Sequence, residues 1–132
     1  MKQIADKTYG LFIDGKWSAA SDGGTFDTFC PANGEKISTC AEATEQDVDI
    51  AVEAAWRAWE TWKDVSPEER QKILFRVAEV IDENRERLAQ IEMLDNGKPI
   101  RETMNADIPL AADHFRYFAG AVRTEEGEAM ML

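Results

Sequence analysis

The chain has 132 residues, of which 44% are hydrophobic and 31% charged, as is typical of a single globular domain. Its formal net charge of −11 argues against anionic partners, namely nucleic acid and acidic membrane surfaces. No apolar run reaches the ~18 residues that cross a bilayer, the N-terminus lacks a hydrophobic signal core, and the two cysteines form no disulfide framework. We therefore expect a cytoplasmic protein with no nucleic-acid or membrane partner.

The first third of the chain is predicted to be β-rich. Residues 1–9 are polar and lack periodicity, which indicates a flexible arm. Asp14-Gly15 lies between two short apolar runs and favours a tight hairpin, because both turn positions tolerate positive φ. Two further strands are predicted at residues 25–30 and 36–43, so the β-rich segment covers residues 10–43.

A helix is predicted to begin after Thr44, with Asp47 completing an approximate capping box. Apolar residues then recur at helical spacing, and three of them are tryptophans. Because tryptophans at this spacing are more often core than ligand-stacking residues, we expect Trp56 and Trp59 to be buried. Their predicted neighbour is Ile81, on the next helix.

A second long helix is predicted to begin at Ser66, whose hydroxyl can accept a bond from the backbone of Glu69, which can itself reach back. The wholly polar run at residues 82–85 predicts a break or bend within it. Asn96-Gly97 predicts its end, since both residues tolerate the positive φ of a helix terminus.

Pro99 fits the first turn of a new helix. We expect a short helix over residues 100–105 and a second from about residue 107 to 120, because Pro109 is tolerated only near a helix start. The helical segment thus covers residues 44–122, and residues 123–132 look like a truncated tail. Strands followed by helices predict an α+β fold with an N-terminal hairpin and a bundle of helices.

Three short segments resemble a known family. They are Glu92-Met93-Leu94-Asp95-Asn96-Gly97-Lys98-Pro99, Arg116-Tyr117-Phe118-Ala119-Gly120 and Pro31-Ala32-Asn33-Gly34-Glu35. Together they are similar to the N-terminal region of the NAD(P)-dependent aldehyde dehydrogenase superfamily. The resemblance implies a fragment of that α/β fold, at the periphery of the cofactor domain. It also implies a parent enzyme that oxidises aldehydes to carboxylic acids with NAD or NADP.

The resemblance assigns no catalytic or cofactor-binding residue to this chain. Neither Cys30 nor Cys40 matches the family's nucleophile segment, and both are predicted to be buried, inert thiols in strands. The family's general base, its oxyanion-stabilising asparagine and its nicotinamide-binding strands match segments beyond residue 132. The isolated chain is therefore expected to be inactive and to bind no cofactor.

Two candidate sites follow from the resemblance. A monovalent cation site would use a backbone carbonyl at Phe29, with Thr28 beside it, and the carboxylate of Asp95, since hard cations prefer oxygen ligands. The alternative is that Asp95 only holds its turn through local hydrogen bonds. Ala106 and Leu110 match residues at the aldehyde entrance, although ordinary helix packing explains them equally well.

Two functions remain open at this stage. In the first, the chain supplies structural and association surfaces to the remainder of an aldehyde dehydrogenase, and associates with itself as a dimer or larger assembly. The apolar residues at positions 11–13 and 115–118 would then be exposed. In the second, the chain is a free-standing acidic helical module that binds another protein. A gene that continues into a W-N-x-P segment would favour the first.

Overall fold

The computed structural model describes residues 7–124. The strands are β1 (Thr8–Tyr9), β2 (Leu11–Ile13), β3 (Lys16–Ser18), β4 (Thr25–Phe29) and β5 (Lys36–Ala41). The helices are α1 (Glu45–Trp62), α2 (Pro67–Glu83), α3 (Arg85–Asn96), α4 (Ile100–Glu102) and α5 (Ile108–Ala121), with a π-helical turn at Thr103–Asp107. This order confirms the predicted α+β class.

The chain divides into two compact units. Unit 1 contains the residues up to 64 together with residues 90–99, and unit 2 contains residues 65–89 together with those from 100 onward. The strands, α1 and the end of α3 belong to unit 1. The helices α2, α4 and α5 and the π-helical turn belong to unit 2.

Unit 1 contains a three-stranded sheet of order β1-β5-β4. Strand β1 pairs with β5 in parallel, with Thr8 opposite Thr39, whereas β4 pairs with β5 antiparallel. This corrects the expectation of a flexible arm at residues 8 and 9, which form strand hydrogen bonds that side-chain patterning cannot reveal in so short a segment. The rest of the expected arm, residues 1–6, lies outside the described residues.

A separate hairpin in unit 1 joins β2 to β3 and confirms the predicted turn. Asp14 and Gly15 adopt φ values of 52° and 74°, the left-handed region that this turn type requires. Phe12 and Trp17 face each other across the hairpin with ring centroids 5.1 Å apart. Both rings remain more than half exposed.

Helix α1 begins at the predicted place but presents its tryptophans to solvent. Thr44 and Asp47 form the full capping box. However, Trp56 is 65% exposed and Trp59 45% exposed, so the prediction that both are buried is wrong. The buried apolar position of this helix is Ala54. Helical spacing shows which side chains share a face, but not which face is covered.

Unit 2 is built around the packing of α2 against α5. Alanines with no exposed surface lie on both helices, at Ala78, Ala112 and Ala119. Their small side chains let the backbones approach, and Gln71 Nε2 donates to the Ala119 carbonyl oxygen at 2.8 Å. Ile81 is only half-buried, so its predicted place in a core is also wrong.

The predicted helix boundaries in unit 2 are mostly confirmed. Ser66 Oγ accepts from the Glu69 amide at 3.2 Å, but the Glu69 carboxylate binds Lys72 instead of reaching back. The break falls at Asn84, as the polar run predicted. After α4, the chain continues through the π-helical turn at Thr103–Asp107 rather than through a separated second helix.

Candidate functional site

The candidate cation site lies in unit 1, where the turn after β4 meets the turn after α3. Gly97 has a φ of +75°, and a β-carbon added to it would lie 3.0 Å from Pro31 Cγ and 3.3 Å from the Ala32 nitrogen. The two turns are thus in direct contact. Phe29 lies two residues before the first turn and Asp95 two residues before the second, so the fold brings the predicted segments into one corner.

The strand side of this corner is irregular. The β4–β5 register shifts between Thr28 and Phe29, which marks a β-bulge. Bulges redirect backbone groups away from the regular ladder. Thr28 Oγ1 lies 3.0 Å from Ser38 Oγ, so its hydroxyl is engaged on the sheet. The Thr28 hydroxyl is therefore used on the sheet, and the site implied by the resemblance would rely on a backbone carbonyl oxygen.

The helix side of the corner carries the only acidic group of the predicted set. Asp95 is exposed, and within residues 7–124 its carboxylate accepts no hydrogen bond. Asn96 holds the turn instead: its Oδ1 accepts from the Lys98 amide at 2.8 Å, and its Nδ2 donates to Glu92 at 2.9 Å. The hydrogen bonds that hold this turn thus belong to Asn96, and both interpretations of Asp95 stay predictions.

The predicted donor set of the corner consists of one carboxylate and backbone carbonyl oxygens. Among the described residues, no group of three or more histidine, cysteine, aspartate or glutamate side chains could hold a metal ion. One carboxylate with backbone carbonyls supplies oxygen ligands and little charge. Such a set suits a monovalent cation better than a divalent one.

The predicted entrance residues lie apart from this corner, in unit 2. Ala106 belongs to the π-helical turn and Leu110 to the first turn of α5. Ala106 is exposed, and Leu110 is 53% exposed. Neither residue belongs to the buried core of unit 2, and their place at an aldehyde entrance stays a prediction.

The cysteines are placed as structural thiols. Cys30 is buried and follows β4, where its amide donates to the Glu35 carbonyl oxygen at 2.8 Å. Cys40 lies in β5 and is only half-buried, with its Sγ 3.9 Å from Ser38 Oγ. The prediction of a buried thiol is confirmed for Cys30, and Cys40 is more open than expected.

A buried carboxylate at Asp47 was not anticipated beyond its capping role. Its oxygens accept from the Ser21 amide at 3.1 Å, the Ser21 hydroxyl at 2.5 Å, and the Thr44 amide and hydroxyl at 2.9 Å each. The Ser21 hydroxyl, followed by the backbone amides of Thr44 and Ser21, holds the pKa of this carboxyl well below its usual range. The Thr44-x-x-Asp47 spacing indicated the cap, but no local signal pointed to Ser21.

The π-helical turn is held by two hydrogen bonds from elsewhere in unit 2. Thr103 has no exposed surface, and its Oγ1 donates to the carbonyl oxygens of Ala89 at 2.9 Å and Ile100 at 3.2 Å. Arg85 Nε donates to the Met104 carbonyl oxygen at 2.8 Å. The Met104 carbonyl oxygen of the wider turn thus has a partner, and the Thr103 hydroxyl ties the turn to α3.

Unit 2 also carries apolar cavities on its surface. One of about 470 Å³ is lined by residues of α2 and α5 and by the segment that follows α5. A second of about 300 Å³ lies along α2, where Ile73 and Val80 remain 45% and 41% exposed. Tyr117 and Phe118 on α5 are 69% and 60% exposed, and their rings meet edge to face at 5.3 Å. These features indicate surfaces suited to another protein segment.

Comparison with known proteins identifies the family. The model of the aldehyde dehydrogenase family matches residues 17–132. The chain belongs to the aldehyde dehydrogenase family. It is 46% identical over 121 residues to an aldehyde dehydrogenase of Deinococcus radiodurans, covering 92% of this chain and 24% of that protein. It is 47% identical over 121 residues to an acetaldehyde dehydrogenase of Pseudomonas aeruginosa, again covering 92% of this chain and 24% of that protein.

Solved structures of the family share this fold. The NAD⁺ complex of an aldehyde dehydrogenase from Bacillus cereus matches with a TM-score of 0.91 and 35% identity, over 98% of this chain and 27% of that one. A structure from Burkholderia cenocepacia matches with a TM-score of 0.89 and 43% identity, over 94% and 25%. The chain therefore spans about a quarter of the length of its relatives. These relatives do not support the alternative of a free-standing interaction module.

Within the described residues, no helix is both long and apolar enough to cross a membrane.

Proposed function

We propose that this chain is the N-terminal structural segment of an NAD(P)-dependent enzyme that oxidises aldehydes to carboxylic acids, and that it performs no catalysis alone. The observation that carries the proposal is the family match over residues 17–132 in a chain that spans 24% of a relative. The nucleophile, base and nicotinamide site of the whole enzyme would lie outside it. The relative from Bacillus cereus was solved with NAD⁺, which supports a nicotinamide cofactor for the whole enzyme.

The segment would contribute surfaces that contact the remainder of the enzyme or a second copy of the chain. The apolar cavities of unit 2 and the exposed Tyr117 and Phe118 suit the remainder of the enzyme or a second copy. Ala106 and Leu110 would border the aldehyde passage, where a small and an aliphatic side chain accept an apolar substrate. The acidic surface suits a cytoplasmic protein with no nucleic-acid or membrane partner.

A chimeric enzyme tests this proposal. Residues 17–132 would replace the matching segment of the Deinococcus radiodurans relative. The chimera is expected to reduce NAD or NADP in the presence of an aldehyde, whereas the 132-residue chain alone is expected not to. Cofactor reduction by the isolated chain that Cys30→Ser or Cys40→Ser abolishes would overturn the proposal. A folded chimera without activity would also count against it.

The corner formed by the turns after β4 and α3 is proposed to hold a monovalent cation. Thermal unfolding in potassium or sodium chloride is compared with unfolding in choline chloride at equal ionic strength, so that screening is matched. The small cations are expected to raise the unfolding temperature, because only the folded state assembles the site. Asp95→Asn should abolish the difference, whereas Asp49→Asn, which changes an exposed carboxylate of α1, should preserve it. No difference between the salts for the unchanged chain would exclude the site.

A further inference from the structure

Two Asn-Gly pairs lie in unit 1, at Asn33-Gly34 and Asn96-Gly97, and both occupy turns. Glycine is the residue whose backbone nitrogen can most readily attack a preceding asparagine amide, because it has no β-carbon to obstruct the approach. The two pairs share a sequence and differ in surroundings, so their chemistry can be compared within one molecule.

The turn at Asn33 places the groups of a cyclisation reaction together. The Glu35 amide donates to Asn33 Oδ1 at 3.0 Å, and Asn33 Nδ2 donates to Glu35 Oε2 at 2.9 Å. The first contact puts a donor on the oxygen that becomes negative when the amide carbon is attacked. The second puts a carboxylate at the nitrogen that must leave, where it can relay a proton.

We propose that Asn33 is a site of spontaneous modification, at which the Gly34 nitrogen closes a succinimide that opens to aspartate or isoaspartate. A bond forms between the Gly34 nitrogen and Asn33 Cγ, and the bond from Cγ to Nδ2 breaks. The proton from the Gly34 amide passes to Nδ2, which leaves as ammonia. Water then opens the ring at either carbonyl carbon, and no oxidant or other co-reactant is needed.

The surroundings of the two glycines make Asn33 the faster site. A β-carbon added at Gly34 would meet nothing within 4 Å, whereas one at Gly97 would lie 3.0 Å from Pro31 Cγ. The backbone must rotate for the nitrogen to reach Cγ, and of these two glycines Gly34 is the one with no neighbouring atom where a β-carbon would stand. At Asn33 the rotation breaks the bond from the Gly34 amide to the carbonyl oxygen of the buried Cys30, at 2.8 Å, while the bond from the Cys30 amide to the Glu35 carbonyl oxygen also spans this turn.

Asn96 has comparable side-chain contacts, but the glycine that follows it is packed against another turn. Its Oδ1 accepts from the Lys98 amide and its Nδ2 donates to Glu92. It ends α3, and the Gly97 amide closes the last helical turn by donating to the Met93 carbonyl oxygen at 3.0 Å. Reaction here requires unwinding that turn and separating it from the Pro31 turn. Asn96 is thus the matched internal control.

The reaction would change the corner formed by the turns after β4 and α3. Either product replaces a neutral amide by a carboxylate beside Glu35, and isoaspartate also lengthens the main chain by one methylene. That change lies in the turn against which Gly97 packs. The modification would therefore loosen the contact between the two turns.

The experiment follows the 132-residue chain during incubation at mildly alkaline pH, with peptide mapping by mass spectrometry to assign each amide lost. In the native chain, Asn33 is expected to react about tenfold faster than Asn96, a barrier difference of about 1.4 kcal/mol. In concentrated urea the two rates should converge, because the sequences at the reacting bond are the same. Equal rates in the native chain, or faster loss at Asn96, would overturn the proposal.

Three variants sharpen the result. Asn33→Gln should slow the reaction at this position strongly, because ring closure through the longer side chain is less favourable. Glu35→Gln removes the carboxylate at the leaving nitrogen and should slow the reaction several-fold, whereas Asn96→Gln should leave the rate at Asn33 unchanged. An Asn33→Gln chain that gains mass at the original rate would refute the assignment.

Discussion

At the scale of single residues, the Asp47 carboxylate is surrounded by donors from Ser21 and Thr44. Its folded-state pKa is depressed by the Ser21 hydroxyl, followed by the Thr44 and Ser21 amides. A depressed pKa means that the stabilisation is present above the unfolded-state value for aspartate and is lost as pH falls through the lower folded-state value. This group should therefore stabilise the fold throughout the neutral range.

We expect Asp47→Asn to lower stability at neutral pH, because an amide cannot accept all the bonds that the carboxylate accepts. The effect should shrink only in strongly acidic solution. Urea unfolding at a series of pH values measures both points, with Asp49→Asn as the control, since Asp49 is exposed on the same helix. A loss no larger than that of the control would mean that the Asp47 bonds contribute little.

Thr103 offers a second single-residue prediction. Its hydroxyl donates to the buried Ala89 carbonyl oxygen at 2.9 Å, and the side chain has no exposed surface. Thr103→Val keeps the shape and removes the buried hydroxyl from the Ala89 carbonyl, which also lies within α3, so the loss should be about 0.5–1.5 kcal/mol. Thr103→Ser keeps the hydroxyl and should cost about 1 kcal/mol for the lost methyl group. Urea unfolding in which Thr103→Val costs nothing would assign the role of Thr103 to packing rather than to hydrogen bonding.

At the scale of elements, Gly97 and Gly34 separate backbone strain from packing. Both adopt positive φ, of +75° and +72°, but only Gly97 is packed against another turn. Gly34→Ala should therefore cost about 1–2 kcal/mol for its left-handed backbone alone. Gly97→Ala carries the same strain and also pushes against Pro31 and Ala32, so it should cost more. Thermal unfolding measures the stability that each variant loses. Equal losses would mean that the two turns can move apart at no energetic cost.

The ends of the helices were easier to predict from the sequence than the faces that they bury. Thr44, Ser66 and Gly97 mark helix boundaries because their side chains or φ preferences act locally, and the structure has each where the sequence indicated. The segments of the candidate corner were identified from family motifs, and the structure has their turns in contact, whereas cation binding there stays a prediction. The bond from Ser21 to Asp47 and the π-helical turn were not predictable, because each depends on partners distant in sequence.

At the scale of the whole chain, the tryptophans of α1 show why burial is difficult to predict from the sequence. Trp56 and Trp59 are exposed although their spacing is that of a core stripe. We expect emission from native tryptophan to resemble that of residues in contact with water. Trp56→Ala should cost less than about 2 kcal/mol, the lower end for truncation of a large core residue. Blue-shifted emission in dilute solution would show that these rings are covered.

The expectation of self-association concerns the same exposed apolar surface. Phe12, Tyr117 and Phe118 are each at least 60% exposed, as predicted, whereas Leu11 and Ile13 are half-buried and Phe115 is only 37% exposed. Burial of these exposed apolar side chains favours association, whereas repulsion between chains that each carry a net charge of −11 opposes it. At physiological ionic strength the screening length is about 8–10 Å, so dissolved salt weakens the repulsion between more distant charges. Association should therefore strengthen as the salt concentration rises. An assembly held by ion pairs would show the opposite dependence.

Sedimentation across a dilution series at low and high salt measures this balance. Phe118→Asp should weaken association, because it removes an exposed ring and adds a charge to the α5 surface. Gln46→Asp adds the same charge on the exposed start of α1, so it reports the electrostatic contribution alone. If the two variants weaken association equally, charge rather than the apolar surface of α5 controls it. A monomer at every concentration and salt, binding no hydrophobic dye, would mean that the exposed rings have no partner in a second copy of the chain.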